Sequence, residues 1–320
     1  MAEPRSKSEN DDLADLTRLI QRMRAGERRA ISRAVTELER LSAAAPRLLQ
    51  AMQPHLGHAL VVGFTGPPGA GKSTLVNTYT GLVRGQGRTV GIIAVDPSSP
   101  VSGGAILGDR IRMTATLDDD GVFMRSLASR GHLGGLSPAA VRVIDALDAA
   151  GKDLILIETV GTGQSEIDVA EVADVRVLVT APGLGDDIQA MKAGLIEIAD
   201  IMVVNKADRE GADRTAHQLK SALSLRPHDR IQVPVLKTAA TTGEGIEALG
   251  LAIAEAAARA TASPPQERRR RRARYLIARA AADQIAERIK NGRRDDLDTL
   301  ADAVLSGHLL PADAAKKLIA

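Results

Sequence analysis

The sequence predicts an α/β fold: a mostly parallel sheet flanked by helices, with helical extensions before and after it. Two observations carry this. Short apolar segments at 59–65, 89–95, 153–158, 174–180, 200–204 and 231–236 alternate with stretches of helical periodicity. That alternation is the pattern of parallel strands joined by crossover helices. In addition, the first apolar segment runs through a glycine-rich loop into a helix start, "VVGFTGPPGAGKST".

Taken in order, residues 1–10 are charged and lack an apolar stripe. From Leu13 to about Leu49 the pattern is helical, with Leu16, Leu19, Ile20 and Met23 at helix spacing. A second helix is expected over "AISRAVTELERLSA". After the strand–helix alternation, "TASPPQE" (261–267) reads as a linker rich in small residues and Pro. The segment "YLIARAAADQIAERIK" is amphipathic and stops at Asn291-Gly292, a helix C-terminal signal. Two short helical patterns close the chain, one opening near Pro311. Three parts are expected: an N-terminal helical extension (1–57), the nucleotide-binding domain (58–260) and a C-terminal helical arm (261–320).

Composition narrows the function classes. Only Phe64, Tyr79, Phe123 and Tyr275 are aromatic, so the core is aliphatic and no stacking platform for single-stranded nucleic acid exists. The chain has no cysteine, which excludes disulfides, thiolate metal sites and cysteine nucleophiles. The opening "MAEPRSKSENDD" has no apolar core, and no apolar run reaches membrane-spanning length. A soluble, cytoplasmic protein is expected.

The glycine-rich loop contains Gly66-x-x-x-x-Gly71-Lys72-Ser73 between a strand and a helix, the P-loop pattern. Residues Gly66, Pro67, Pro68, Gly69, Ala70, Gly71, Lys72, Ser73 and Thr74 are expected to hold the phosphates through converging backbone N–H groups at a helix N-terminus. Lys72 reaches the β- and γ-phosphates, and the Ser73 hydroxyl ligates Mg²⁺. Further on, "IMVVNKAD" places Asn205, Lys206 and Asp208 after a late strand. An Asp carboxylate there accepts from guanine N1–H and the 2-amino group, a donor pair that adenine lacks. The stretch "TAATTGEGIEAL" supplies Ala239, Ala240 and Thr241 for a backbone N–H to guanine O6. GTP is therefore expected over ATP.

Asp96 ends an apolar strand before Pro97, and Asp109 lies among Arg110 and Arg112. Either acid could serve a local role, in a turn or with neighbouring arginines. With a P-loop upstream, acids at strand ends belong to the ligand edge of the sheet. Both are assigned to the Mg²⁺ and attacking-water shell, since Mg²⁺ keeps several waters.

The stretches "GPPGAGKST", "AVDPSSP", "GGAILGDRIRM", "RGHLGGLS", "ILIETVGTGQSE", "GDDIQAMKAGLIEIADIMVVNKAD" and "GEGI" follow one another as in MeaB-type proteins, which the chain resembles over roughly residues 12–310. Those are P-loop GTPases associated with methylmalonyl-CoA mutase. The resemblance implies a GTP-hydrolysing chaperone that gates adenosylcobalamin loading onto a mutase and protects it. It implies that Glu158 helps hold Mg²⁺ or its waters, completing a catalytic set with Lys72, Asp96 and Asp109. It also implies that Gly161 gives an N–H to the γ-phosphate. The residue after Gly161 is Thr162, where many GTPases have a catalytic Gln, and Gln164 is too far along to replace it on an ordinary loop path. Slow hydrolysis, completed by a partner, is expected.

"APGLGDDIQAMK" reads in two ways: Asp186 and Asp187 cap a helix, or, by resemblance, the segment through Lys192 is a further switch. Arg112 and Gln164 are grouped with it as signalling residues. The run "ERRRRRARYL" is read as the solvated start of the C-terminal arm, which the resemblance assigns to homodimerisation; no nucleic-acid or membrane partner and no cobalamin site are expected. Two rivals remain: a nickel-insertion GTPase, which usually carries Cys/His metal motifs absent here, and an adaptor that binds nucleotide without hydrolysing it.

Overall fold

The structure is a computed structural model, and it describes residues 7–96, 118–128, 136, 138–159, 168–169, 171–184, 193–224, 232–291 and 294–319. Three helices come first: α1 (Lys7–Arg24), α2 (Arg28–Arg40) and α3 (Ala45–Met52). Ala30, Ile31, Ala34, Val35 and Leu38 form the buried stripe of α2. It packs on α5 (Pro138–Ala149), where Arg142 Nε donates to the Leu38 carbonyl at 2.8 Å. The N-terminal helices are thus built into the body of the protein.

The strands are β1 (Leu60–Thr65), β2 (Val90–Asp96), β3 (Val122–Ala128), β4 (Leu154–Thr159), β5 (Val175–Thr180), β6 (Ile201–Val204) and β7 (Val235–Lys237). They form one seven-stranded sheet in the order β3-β2-β4-β1-β5-β6-β7, and every pairing is parallel. All six residues of β4 are buried, as a strand covered on both faces requires. The helices α4 (Lys72–Gly85), α6 (Ala193–Ile198), α7 (Ala212–Ser224) and α8 (Ile246–Ala260) complete the alternation. On one face, Val62, Leu156 and Val177 of the sheet meet Leu75 and Val76 of α4 and Leu249 and Ile253 of α8.

Two strands differ from the expectation. β3 is absent from the sequence reading because "VFMRSLA" mixes Arg125 and Ser126 into its apolar residues. It is an edge strand, paired with β2 alone, and its Arg125 is accommodated by an ion pair with Glu39 of α2. The expected 231–236 strand is confined to Val235–Lys237, since Pro234 has no N–H for a ladder.

The expected linker also gives way early: α9 (Pro265–Asn291) begins at Pro265, a residue suited to the first turn of a helix. The chain divides into two compact units, Met1–Arg271 and Arg272–Ala320, so the division falls within α9. In the second unit α10 (Arg294–Leu305) and α11 (Pro311–Ile319) pack together. No helix among the described residues is long and apolar enough to cross a membrane.

Candidate GTP site

The P-loop joins the carboxyl end of β1 to α4. Gly66 has φ 135°, and a Cβ there would lie 1.9 Å from the Val179 carbonyl oxygen. At Gly71, which caps α4 with φ 83°, a Cβ would lie 2.6 Å from Asn205 Nδ2. Only glycine fits either place. The loop N–H groups and the positive end of the α4 dipole thereby come together where an anion is favoured. Lys72 Nζ donates to the carbonyls of Gly66 (2.7 Å) and Pro67 (2.8 Å), which draws the ammonium across the loop.

Strand register then brings an acid to the same edge. Glu158 in β4 pairs with Phe64 in β1 and Ala94 in β2. From there it reaches the first turn of α4, where Ser73 Oγ donates to Glu158 Oε1 at 2.5 Å. Both residues are buried. Two hard oxygen donors in contact beside a phosphate cradle suit Mg²⁺. Asp96 closes β2 two residues beyond Ala94, at the same edge of the sheet. Asp109, Arg112, Gly161, Gln164, Asp186, Asp187 and Lys192 lie outside the described residues. Among the described residues, no group of three or more His, Cys, Asp or Glu could hold a metal.

On the base side, Asn205 is 2% exposed and its amide is fully directed inward. Nδ2 donates to the carbonyls of Ala70 (2.9 Å) and Gly71 (3.2 Å), while Oδ1 accepts from Thr238 Oγ1 (3.1 Å) and Ala240 N–H (3.2 Å). One side chain therefore ties the P-loop to the 239–241 segment. Lys206, held at a left-handed φ of 56°, donates from Nζ to the Gly69 carbonyl at 2.7 Å. The Ala207 N–H donates to the Thr238 carbonyl at 2.9 Å, setting the two loops side by side. Thr78 Oγ1 donates to the Ala240 carbonyl at 2.8 Å. Ala239 and Ala240 are buried, whereas Thr241 and Asp208 are exposed. The Asp208 carboxylate makes no hydrogen bond or ion pair among the described residues, leaving its acceptors open.

The arginine run is only partly solvated: Arg270 and Arg274 are exposed, as expected, but others are not. Arg268 and Arg272 are buried. Arg268 Nη1 donates to Asp174 Oδ2 at 3.1 Å, and Arg271 Nη2 donates to the Ala173 carbonyl at 2.7 Å and Asp174 Oδ1 at 3.3 Å. Asp174 also accepts the Val61 N–H at 3.0 Å. A carboxylate buried between β1 and β5 needs cations, and the run supplies them. The acid before the apolar segment "VRVLVT" was the available signal.

A model of the methylmalonyl-CoA mutase-associated GTPase MeaB matches residues 29–294. The chain belongs to the MeaB family. A Pyrococcus horikoshii relative is 52% identical over 235 residues, 72% of this chain and 74% of that protein. The GTPase ArgK of Escherichia coli K12 is 42% identical over 249 residues, 75% of each chain. A solved structure described as a LAO/AO transport system kinase superposes with a TM-score of 0.77 at 29% identity, covering 99% of this chain and 98% of its own. A MeaB-family chain is a P-loop GTPase, which binds GTP and GDP, generally with Mg²⁺, and hydrolyses GTP.

Proposed function

We propose that this GTPase is a chaperone for a methylmalonyl-CoA-type mutase: it gates loading of adenosylcobalamin, protects the mutase, and acts as a homodimer through residues 261–320. The family's association with that mutase supports the client. A mouse relative named methylmalonic aciduria type A homolog, 42% identical over 190 residues that make up 58% of this chain and 46% of that protein, agrees with it. The observation that carries the switch is the 2.5 Å hydrogen bond between Ser73 and Glu158, which joins the phosphate cradle to the Glu-x-x-Gly segment.

In this reading Lys72 turns from the loop carbonyls to the β- and γ-phosphates. The backbone from Gly66 to Thr74 cradles them. Ser73 and Glu158 would hold Mg²⁺, with Asp96 and Asp109 acting directly or through its waters. Mg²⁺ held there would supply positive charge that offsets the negative charge developing on the phosphate oxygens. Gly161 donates to the γ-phosphate. Asp208 accepts from guanine, Lys206 covers the base, and the backbone of Ala239, Ala240 and Thr241 meets O6. Arg112, Gln164, Asp186, Asp187 and Lys192 carry the nucleotide state to the mutase.

The test is cofactor transfer. Adenosylcobalamin loading onto the mutase is followed with GTP, with GDP and with a non-hydrolysable GTP analogue. Loading that depends on nucleotide and disappears in Lys72→Ala is expected; loading indifferent to all three nucleotides refutes gating.

A further inference from the structure

The opposite edge of the sheet holds a second cluster of basic side chains that the GTP site does not use. Arg24 ends α1, His55 lies in a short turn after α3, and His58, Arg88 and Lys152 lie two residues before β1, β2 and β4. These five side chains line a cleft of about 400 Å³. The P-loop follows the other end of β1, so one strand length, about 20 Å, separates the two places.

The two acids of the cleft are already engaged. Asp148 accepts the N–H groups of Gly57 (2.6 Å), His58 (3.1 Å) and Ala59 (2.9 Å). Asp153 Oδ2 accepts the N–H (2.7 Å) and hydroxyl (2.9 Å) of Thr89. Neither forms an ion pair with a cation of the cleft among the described residues. Arg88 enters no ion pair among the described residues either.

The donors, by contrast, are oriented. Arg24 Nη1 lies 2.9 Å from His55 Nδ1. Arginine has only donors, so Nδ1 accepts, and a neutral His55 then carries its proton on Nε2. Lys152 is 5% exposed, and its ammonium donates to the Gly121 carbonyl at 3.1 Å, one bond for three protons. Burial, with Arg84 and Arg28 nearby, pushes the Lys152 pKa below its ordinary value against the opposing pull of Asp119 and Asp153. An anion in the cleft would offset the repulsion from the two arginines.

We propose that this cleft binds a small phosphate-bearing anion of the diphosphate class. The basic side chains come from four separate chain segments and line a cleft, which suits tetrahedral groups with oxygens on several sides better than a planar carboxylate. The near-complete burial of Lys152 places it beyond a flat partner such as a membrane.

The test uses the full chain saturated with GDP, so that the P-loop is filled. Inorganic diphosphate is titrated calorimetrically at constant ionic strength, with citrate as the phosphate-free polyanion. One diphosphate per chain is expected, with affinity at least tenfold weaker in Arg24→Ala and in Arg88→Ala while GDP affinity is unchanged. Absence of diphosphate binding, equal affinity for citrate, or unchanged affinity in both arginine variants overturns the proposal.

Discussion

Asn205 and Tyr79 are the residues whose environments lead to the sharpest tests. Removing the Asn205 amide strands buried groups of Ala70, Gly71, Thr238 and Ala240 at once. Asn205→Ala is expected to cost about 2–4 kcal/mol, from the penalty of unsatisfied buried polar groups. Denaturant unfolding and GDP titration check it: both stability and affinity fall together, although the side chain bonds protein groups. Asp208→Asn inverts the acceptor pattern facing guanine, so GTP should weaken and xanthosine triphosphate strengthen in competition binding. Burial pushes the Tyr79 pKa up from 10.0 to about 12. The raised value stabilises the fold in full below pH 10, and that stability, about 2–3 kcal/mol, is lost as pH rises toward 12. In a Tyr275→Phe background the folded protein should show little phenolate absorbance at pH 10.5.

At the scale of elements, how much the sequence reveals depends on how local the cause is. The P-loop is legible because glycine positions, lysine and helix start all lie within nine residues. β3 is not, because what makes it a strand is pairing with β2 at a sheet edge. Asn205 is legible as part of Asn-Lys-x-Asp, but its role as a tie between loops arises from contacts 135 residues back and 35 ahead. Gly66 gives the element-level prediction. Its added Cβ would meet the Val179 carbonyl at 1.9 Å, backbone against backbone, so neither side can yield cheaply. Gly66→Ala is expected to destabilise by about 3 kcal/mol or more, in the range of overpacking combined with left-handed strain, and to abolish GDP binding. Gly69→Ala, with nothing within 4 Å of its added Cβ, should lose only the cost of a left-handed φ of 80°, about 1–2 kcal/mol.

For the whole molecule, the arginine run ties the start of α9 to the first compact unit. The Pro-rich stretch 261–267 points to a division there, whereas Arg268 and Arg271 belong with Asp174 in the first unit. A truncation before Arg268 would leave that buried carboxylate without its cations, a loss of about 3–5 kcal/mol for one broken buried pair. Removing 272–320 instead should give a folded, GDP-binding monomer, measured by sedimentation. The GTPase reading was legible in the motifs, and the family match bears it out. The proposed client and switch residues concern an encounter with a second protein, which no local pattern records.

The most direct measurement is GTP turnover by the purified chain, alone and with increasing methylmalonyl-CoA mutase, alongside mutase affinity in GDP and in a non-hydrolysable GTP analogue. Alone, turnover should fall far below the typical enzyme rate of about 10 per second, because Thr162 stands where a water-orienting Gln would. Added mutase should raise it, and nucleotide and mutase should change each other's affinity by the same factor, as linkage requires. Fast turnover by the lone protein, together with mutase affinity indifferent to nucleotide, would contradict a partner-completed GTP switch.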